Sequence, residues 1–185
     1  MSIPNIVIDT NVVIAALHSK KGASFKLLSL VGSKKFKTHD SVPLVLQYED
    51  VVQRDRVELG LSEDDVSDLI DSLCARAKHH EIYFLWRPSL PDANDELILE
   101  LAVAARCEYI VTHNIADFSR LLKKSIIHQR CHFAKVEVNY FLVFWIPAFA
   151  SKTLKRVFQQ PVRGAEKFGV KAVTPDAFLK IIGEV

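Results

Sequence analysis

Ile3-Pro4-Asn5-Ile6-Val7-Ile8-Asp9-Thr10-Asn11-Val12-Val13-Ile14-Ala15-Ala16-Leu17 is the stretch on which the fold turns. Ile3–Ile8 is a short, β-branched apolar run stopped by an acid. Apolar residues at successive rather than alternate positions read as a strand covered on both faces, the parallel-sheet type. Asp9-Thr10-Asn11 carry the short polar side chains that cap helices, and Val12–Leu17 continues as a helical run. A buried strand that ends on Asp9 and passes directly into a helix is the opening of a β-α unit.

The alternation continues outward from this stretch. Ala23–Val31 reads as a second helix ending near Gly32, and Phe36–His39 as a short strand. Asp40 or Ser41 can cap a third helix, with Pro43 in its first turn and Leu46, Val51 and Val52 along it. Ser62-Glu63-Asp64-Asp65 sets acids at the positive end of a helix dipole, and Val66, Leu69, Ile70 and Leu73 follow at helical spacing. Ile82–Trp86 is a strand candidate. Pro91–Asp95 opens a helix whose apolar face is Leu97, Ile98, Leu101, Ala102 and Ala105. Tyr109–Thr112 reads as a strand and Asn114–Phe118 as the turn out of it. Val170–Val173 is a strand, Thr174 a cap, Pro175 a first helical position and Ala177–Ile182 the last helix. Strands alternating with helices predict an α/β fold with a parallel sheet covered on both faces.

A chain of 185 residues is long enough for one domain with a substantial core, and 49% apolar with 25% charged residues is ordinary for a globular protein. Cys74, Cys107 and Cys131 form neither a disulfide framework nor a zinc pair, which predicts a reducing cytoplasm. Met1–Asn5 lacks the basic start of a signal peptide. The longest apolar stretch, Tyr140–Ala150, is too short to span a bilayer and is interrupted by Pro147, so no membrane is expected. The net charge of +2 hides an uneven distribution. Ser119–Val162 holds Arg120, Lys123, Lys124, Arg130, Lys135, Lys152, Lys155 and Arg156 against a single acid, Glu137, leaving the remainder acidic.

In open parallel sheets, ligands bind beyond the carboxyl ends of the strands. Asp9 ends the first strand, Asp95 sits in the first turn of a helix, and Asn114 and Asp117 follow the Val111-Thr112 strand end. Gln47–Asp50 forms a polar patch on the third helix. Carboxylates converging at such a place repel one another and call for a cation. Hard oxygen donors without a Cys or His cluster suit Mg²⁺ or Mn²⁺. Taken singly, Asp9 and Asp95 read first as caps, Asp117 as a turn residue, His113 as a loop residue, and Glu49 and Asp50 as solvent-facing charges.

The flanking residues carry more. Val7-Ile8-Asp9-Thr10-Asn11-Val12-Val13 resembles the first motif of PIN domains, an apolar strand ending in D-T-N. Asp95-Glu96-Leu97-Ile98-Leu99-Glu100-Leu101-Ala102 resembles their third motif, and Tyr109-Ile110-Val111-Thr112-His113-Asn114-Ile115-Ala116-Asp117-Phe118 their fourth. Lys171-Ala172-Val173-Thr174-Pro175-Asp176-Ala177-Phe178-Leu179 resembles their last strand and helix. The resemblance covers Ile3–Phe118 and Arg163–Gly183, and is greatest to bacterial toxin components of toxin–antitoxin pairs, related to VapC-type toxins. It implies a three-layer fold and metal-dependent hydrolysis of RNA phosphodiesters. Asp9, Asp95 and Asp117 would be the catalytic, metal-binding group, with Thr10, Asn11 and Asn114 in support. It further implies an antitoxin partner and a homodimer; His113 could contact RNA.

Two departures stand out. Where the family has a helical Glu, Gln47 stands here in Gln47-Tyr48-Glu49-Asp50-Val51-Val52, so the further metal ligand is either Asp50, one turn on, or Gln47 itself. Ser119–Val162 is an insertion, with an aromatic run Tyr140–Trp145. In order of expectation it is a hairpin or helix packed on the body or a partner, an accidental insertion, or an RNA-binding arm. The alternative to a nuclease is a PIN-fold module that binds RNA or an antitoxin without cleaving.

Overall fold

The computed structural model describes residues 3–82, 93–116, 118 and 169–184. In chain order the elements are β1 (Asn5–Ile8), α1 (Thr10–His18), α2 (Ala23–Ser29), β2 (Lys37–Asp40), α3 (Val42–Leu59), α4 (Glu63–Cys74), β3 (Lys78–His79), α5 (Ala93–Ala104), β4 (Tyr109–Val111), β5 (Lys171–Val173) and α6 (Pro175–Ile181). The strands form one five-stranded sheet in the order β3-β2-β1-β4-β5, and every pairing is parallel. Ile6 and Val7 of the central strand are fully buried, which is why that strand is apolar on both faces.

The order of strands assigns the helices to layers. The chain moves from β1 to β2 to β3 in one direction, then returns across the sheet to β4. Right-handed crossovers therefore put α1 to α4 on one face and α5 on the other. α1 packs on α2 and α3, α3 on α4, and α5 on β1, β2 and β4, as that layering requires.

Local chemistry fixes the boundaries. α3 stops at Gly60, whose φ of 66° is left-handed and costs glycine little. α4 starts in a capping box: Ser62 Oγ accepts from the Asp65 amide at 3.1 Å while Asp65 accepts from the Ser62 amide at 2.8 Å. Thr174 caps α6 by accepting from the Ala177 amide at 3.2 Å. Phe178 of α6 meets the rings of Phe36 and Tyr109 edge-on at 5.5 and 5.6 Å, locking the last helix onto the body.

One strand was not anticipated. The third strand is Lys78–His79. Of the expected strand Ile82–Trp86, residue 82 is outside any strand and 83–86 lie outside the described residues. Lys78 and His79 are exposed and polar, so no hydrophobic signal marks them. Backbone pairing with β2 and the His79–Asp40 contact, 2.5 Å, hold them in place. Asp40 ends β2, and Ser41 occupies the N-cap position of α3 without a side-chain bond. The insertion at 119–162 lies outside the described residues. Among the described residues no helix is long and apolar enough to cross a membrane.

Candidate functional site

The point where the strand order reverses lies between β1 and β4, and Asp9 and Thr112 are the first residues beyond their carboxyl ends. The Asp9 amide donates to the Val111 carbonyl at 2.9 Å, so the two strand ends are tied together there. Thr112 in turn donates its amide to Val173 of β5 at 2.9 Å. Asp9 is thus both the end of β1 and the N-cap of α1: its Oδ1 accepts from the Asn11 amide at 3.3 Å.

Capping is the smaller part of what surrounds it. Asp9 is 5% exposed. Its Oδ2 accepts from the Thr112 hydroxyl at 2.5 Å and from Asn11 Nδ2 at 2.8 Å. Asn11 Nδ2 also lies 3.2 Å from Thr112 Oγ1, which accepts from the Asn114 amide at 2.9 Å. Asn11 Oδ1 accepts from the His113 amide at 3.1 Å. The D-T-N and T-H-N segments are therefore one hydrogen-bonded unit across two strands. Its neutral donors orient the carboxylate but do not cancel its charge. Burial, the largest influence, pushes the Asp9 carboxyl above its ordinary 3.8 against the opposing pull of Thr112 and Asn11.

The other expected site residues fall as follows. Thr10 is buried, and its Oγ1 has no hydrogen-bond partner among the described residues. The amide oxygen of Gln47 is also buried and likewise without a partner among them. Its neighbour Tyr48 donates its hydroxyl to the Ile8 carbonyl, which seats this part of α3 against the end of β1. Asp50 is exposed on α3, 3.9 Å from Arg54. Asp95 is half-buried in the first turn of α5. Asn114 is half-buried beside Thr112. Asp117 lies outside the described residues. Among the described residues no three His, Cys, Asp or Glu side chains form a group able to hold a metal.

The donors near the end of β1 are of the hard-oxygen type that a divalent cation takes: the buried Asp9 carboxylate, the Thr10 hydroxyl on α1 and the Gln47 amide oxygen on α3, the last two without a hydrogen-bond partner among the described residues. Sequence reasoning passed over Glu96 and Glu100, which are 3% and 4% exposed on α5. The available signal was two acids one turn apart inside a helix whose Ile98, Leu99, Leu101 and Ala102 are all buried. Ser24, bonded to His113, was also missed; a serine in the first turn of an ordinary helix gives no signal of its own.

No curated protein matches the chain. Among solved structures, the crystal structure of VapBC2 from Rickettsia felis bound to a DNA fragment from its promoter is similar at a TM-score of 0.45 and 16% identity, over 63% of this chain and 92% of that one. A family model for the PIN domain matches residues 5–116, from the first residue of β1 through the T-H-N segment. Strand β5 and helix α6 lie beyond that match and complete the sheet and its helical cover. With more than half its length matched, and with the five-stranded parallel sheet in place, the chain belongs to the PIN domain family.

Proposed function

We propose that the protein is a divalent-metal-dependent endoribonuclease, the toxin of a toxin–antitoxin pair, using Mg²⁺ or Mn²⁺. The observation that carries this is Asp9: a buried carboxylate at the switch point of the sheet, surrounded by neutral donors that hold its geometry and leave its charge for a cation. Asp9 would hold the ion with Asp95 and Asp117, and Gln47 rather than Asp50 would add the neutral oxygen, since Asp50 is exposed. When bound, the ion supplies polarisation of a phosphodiester oxygen and acidification of an attacking water. Thr112 and Asn11 fix the Asp9 carboxylate, and Asn114 fixes Thr112. The antitoxin partner, the homodimer and a cytoplasmic setting rest on the resemblance to VapC-type toxins.

A second reading is favoured by one residue. Gln47 brings no negative charge where the family has Glu, which supports a module that binds RNA without cutting it. Incubating total RNA with the protein, with and without Mn²⁺, separates the two. The nuclease reading expects cleavage that requires metal and falls at least about a hundredfold in Asp9→Asn, as loss of a group acting through the metal should. RNA bound but intact under all metal conditions selects the binding module.

A further inference from the structure

His113 is exposed, yet its side chain is not free to wander. Its amide donates to Asn11 Oδ1 at 3.1 Å, and Asn11 is bonded to the Asp9 carboxylate at 2.8 Å. Its ring Nε2 lies 2.9 Å from Ser24 Oγ, and Ser24 is only 4% exposed. The residue is thus tied twice, its backbone amide to the Asp9 network and its ring Nε2 to a buried hydroxyl on α2.

The chemistry of that pair decides which ring nitrogen works. A buried hydroxyl needs an acceptor for its hydrogen, and among the described residues His113 Nε2 is the acceptor in reach of Ser24. Ser24 therefore donates, and in the neutral ring the hydrogen resides on Nδ1. Nδ1 has no partner among the described residues. Because a hydroxyl can also accept, Ser24 keeps the ring in place in either protonation state. Lys20 and Lys21, both exposed, form the turn that leads through Gly22 to α2 and Ser24.

We infer that His113 is a substrate-contacting residue: its Nδ1–H donates to a backbone phosphate of a single-stranded RNA laid across the Asp9 site, with Ser24 as its positioning residue and Lys20 and Lys21 flanking the same strand. This rests on the RNA-directed reading above, and it adds residues outside the carboxylate site. An exposed N–H donor two hydrogen bonds from a carboxylate that holds a cation sits where a neighbouring phosphate oxygen passes. The lysines add the counterion release that dominates affinity for a polyanion.

The test measures fluorescence anisotropy of a labelled single-stranded RNA oligonucleotide with the full chain in EDTA, so that metal-dependent cleavage does not consume the probe. His113→Ala and His113→Gln weaken binding about tenfold, the loss of a hydrogen bond to a charged group. His113→Asn, whose amide nitrogen reaches the place of Nδ1 and not of Nε2, retains most of the affinity. The double change Lys20→Ala and Lys21→Ala flattens the dependence of log Kd on log salt by about 0.7 for each lost phosphate contact. Long-range ¹⁵N–¹H spectra show His113 as the Nδ1–H tautomer, and Ser24→Ala converts it to a mixture. Equal affinities for the three His113 variants and the parent, Gln rescuing in place of Asn, or no RNA binding at all would each overturn the inference. A chain that shows this rank order but never cleaves RNA supports the contact and removes the nuclease reading. A chain that cleaves but is indifferent to His113 does the reverse.

Discussion

Asp9 is held in a place that disfavours its charge. With its carboxyl raised above 3.8 by burial, the folded state keeps, between 3.8 and its raised value, a proton that the unfolded state has released. Its contribution is complete below 3.8 and is lost as pH rises through the folded value. Asp9→Asn removes that cost and keeps a capping side chain. The metal-free variant should therefore melt a few degrees above the parent at pH 7, with the gain shrinking towards pH 3.8, and Mn²⁺ should no longer stabilise it. Equal melting temperatures at both pH values would mean that Asp9 is not penalised. Gln47 gives the complementary test. Gln47→Glu places a carboxylate where an unpartnered amide oxygen is buried. Without metal it should lower the melting temperature, because a buried charge is added; Mn²⁺ affinity should rise by about tenfold or more. Isothermal titration reads the affinity, and an unchanged value would place Gln47 outside the metal's reach.

At the scale of elements, the β2–β3 edge carries a device separate from the Asp9 site. Asn5 Oδ1 accepts from His39 Nε2 at 3.0 Å, so His39 Nδ1 is the acceptor for His80 Nε2–H at 2.7 Å. A proton on His39 Nδ1 would face that donor. Burial first, then His80 and Lys78, lower His39 from 6.5 to about 4, with Lys37 adding to the effect and Glu108 opposing it. The folded-state value is depressed for a base, so the unfolded chain binds the extra proton between pH 4 and 6.5. Stability from this pair is complete above 6.5 and is lost as pH falls towards 4. Urea unfolding across that range should show a midpoint rising with pH, and His39→Gln should flatten the rise. An unaltered slope in the variant would assign the effect to other groups. The same edge shows why β3 escaped the sequence: Lys78 and His79 are both exposed, and a strand made by backbone pairing alone leaves no pattern in its side chains.

For the molecule as a whole, the pairing of β4 with β5 is the telling contact. Tyr109, Ile110 and Val111 align with Lys171, Ala172 and Val173, although the basic, aromatic stretch 119–162 separates them in sequence. The sheet order needs nothing from that stretch among the described residues, and loop-closure entropy changes slowly with length. Replacing 119–162 with a short Gly/Ser linker should give a soluble chain that melts within several degrees of the parent. Aggregation, or loss of cooperative unfolding, would show that the stretch belongs to the core.

The parallel α/β layout, the central apolar strand, the acid-to-helix junction at Asp9 and the capped starts of α4 and α6 were legible in the sequence because each rests on contacts between neighbours a few residues apart. Hydrophobic period and cap chemistry act locally, so local reading finds them. The partnership of Asp9 with Thr112, 103 residues away, depends on β1 and β4 lying side by side, and no local pattern encodes a strand order. Tertiary structure alone buried the amide oxygen of Gln47, buried Glu96 and Glu100, and joined Ser24 to His113. The physical reason is common to all of them. Which face of an element is dry, and which polar atoms meet there, is set by what the rest of the chain packs against it.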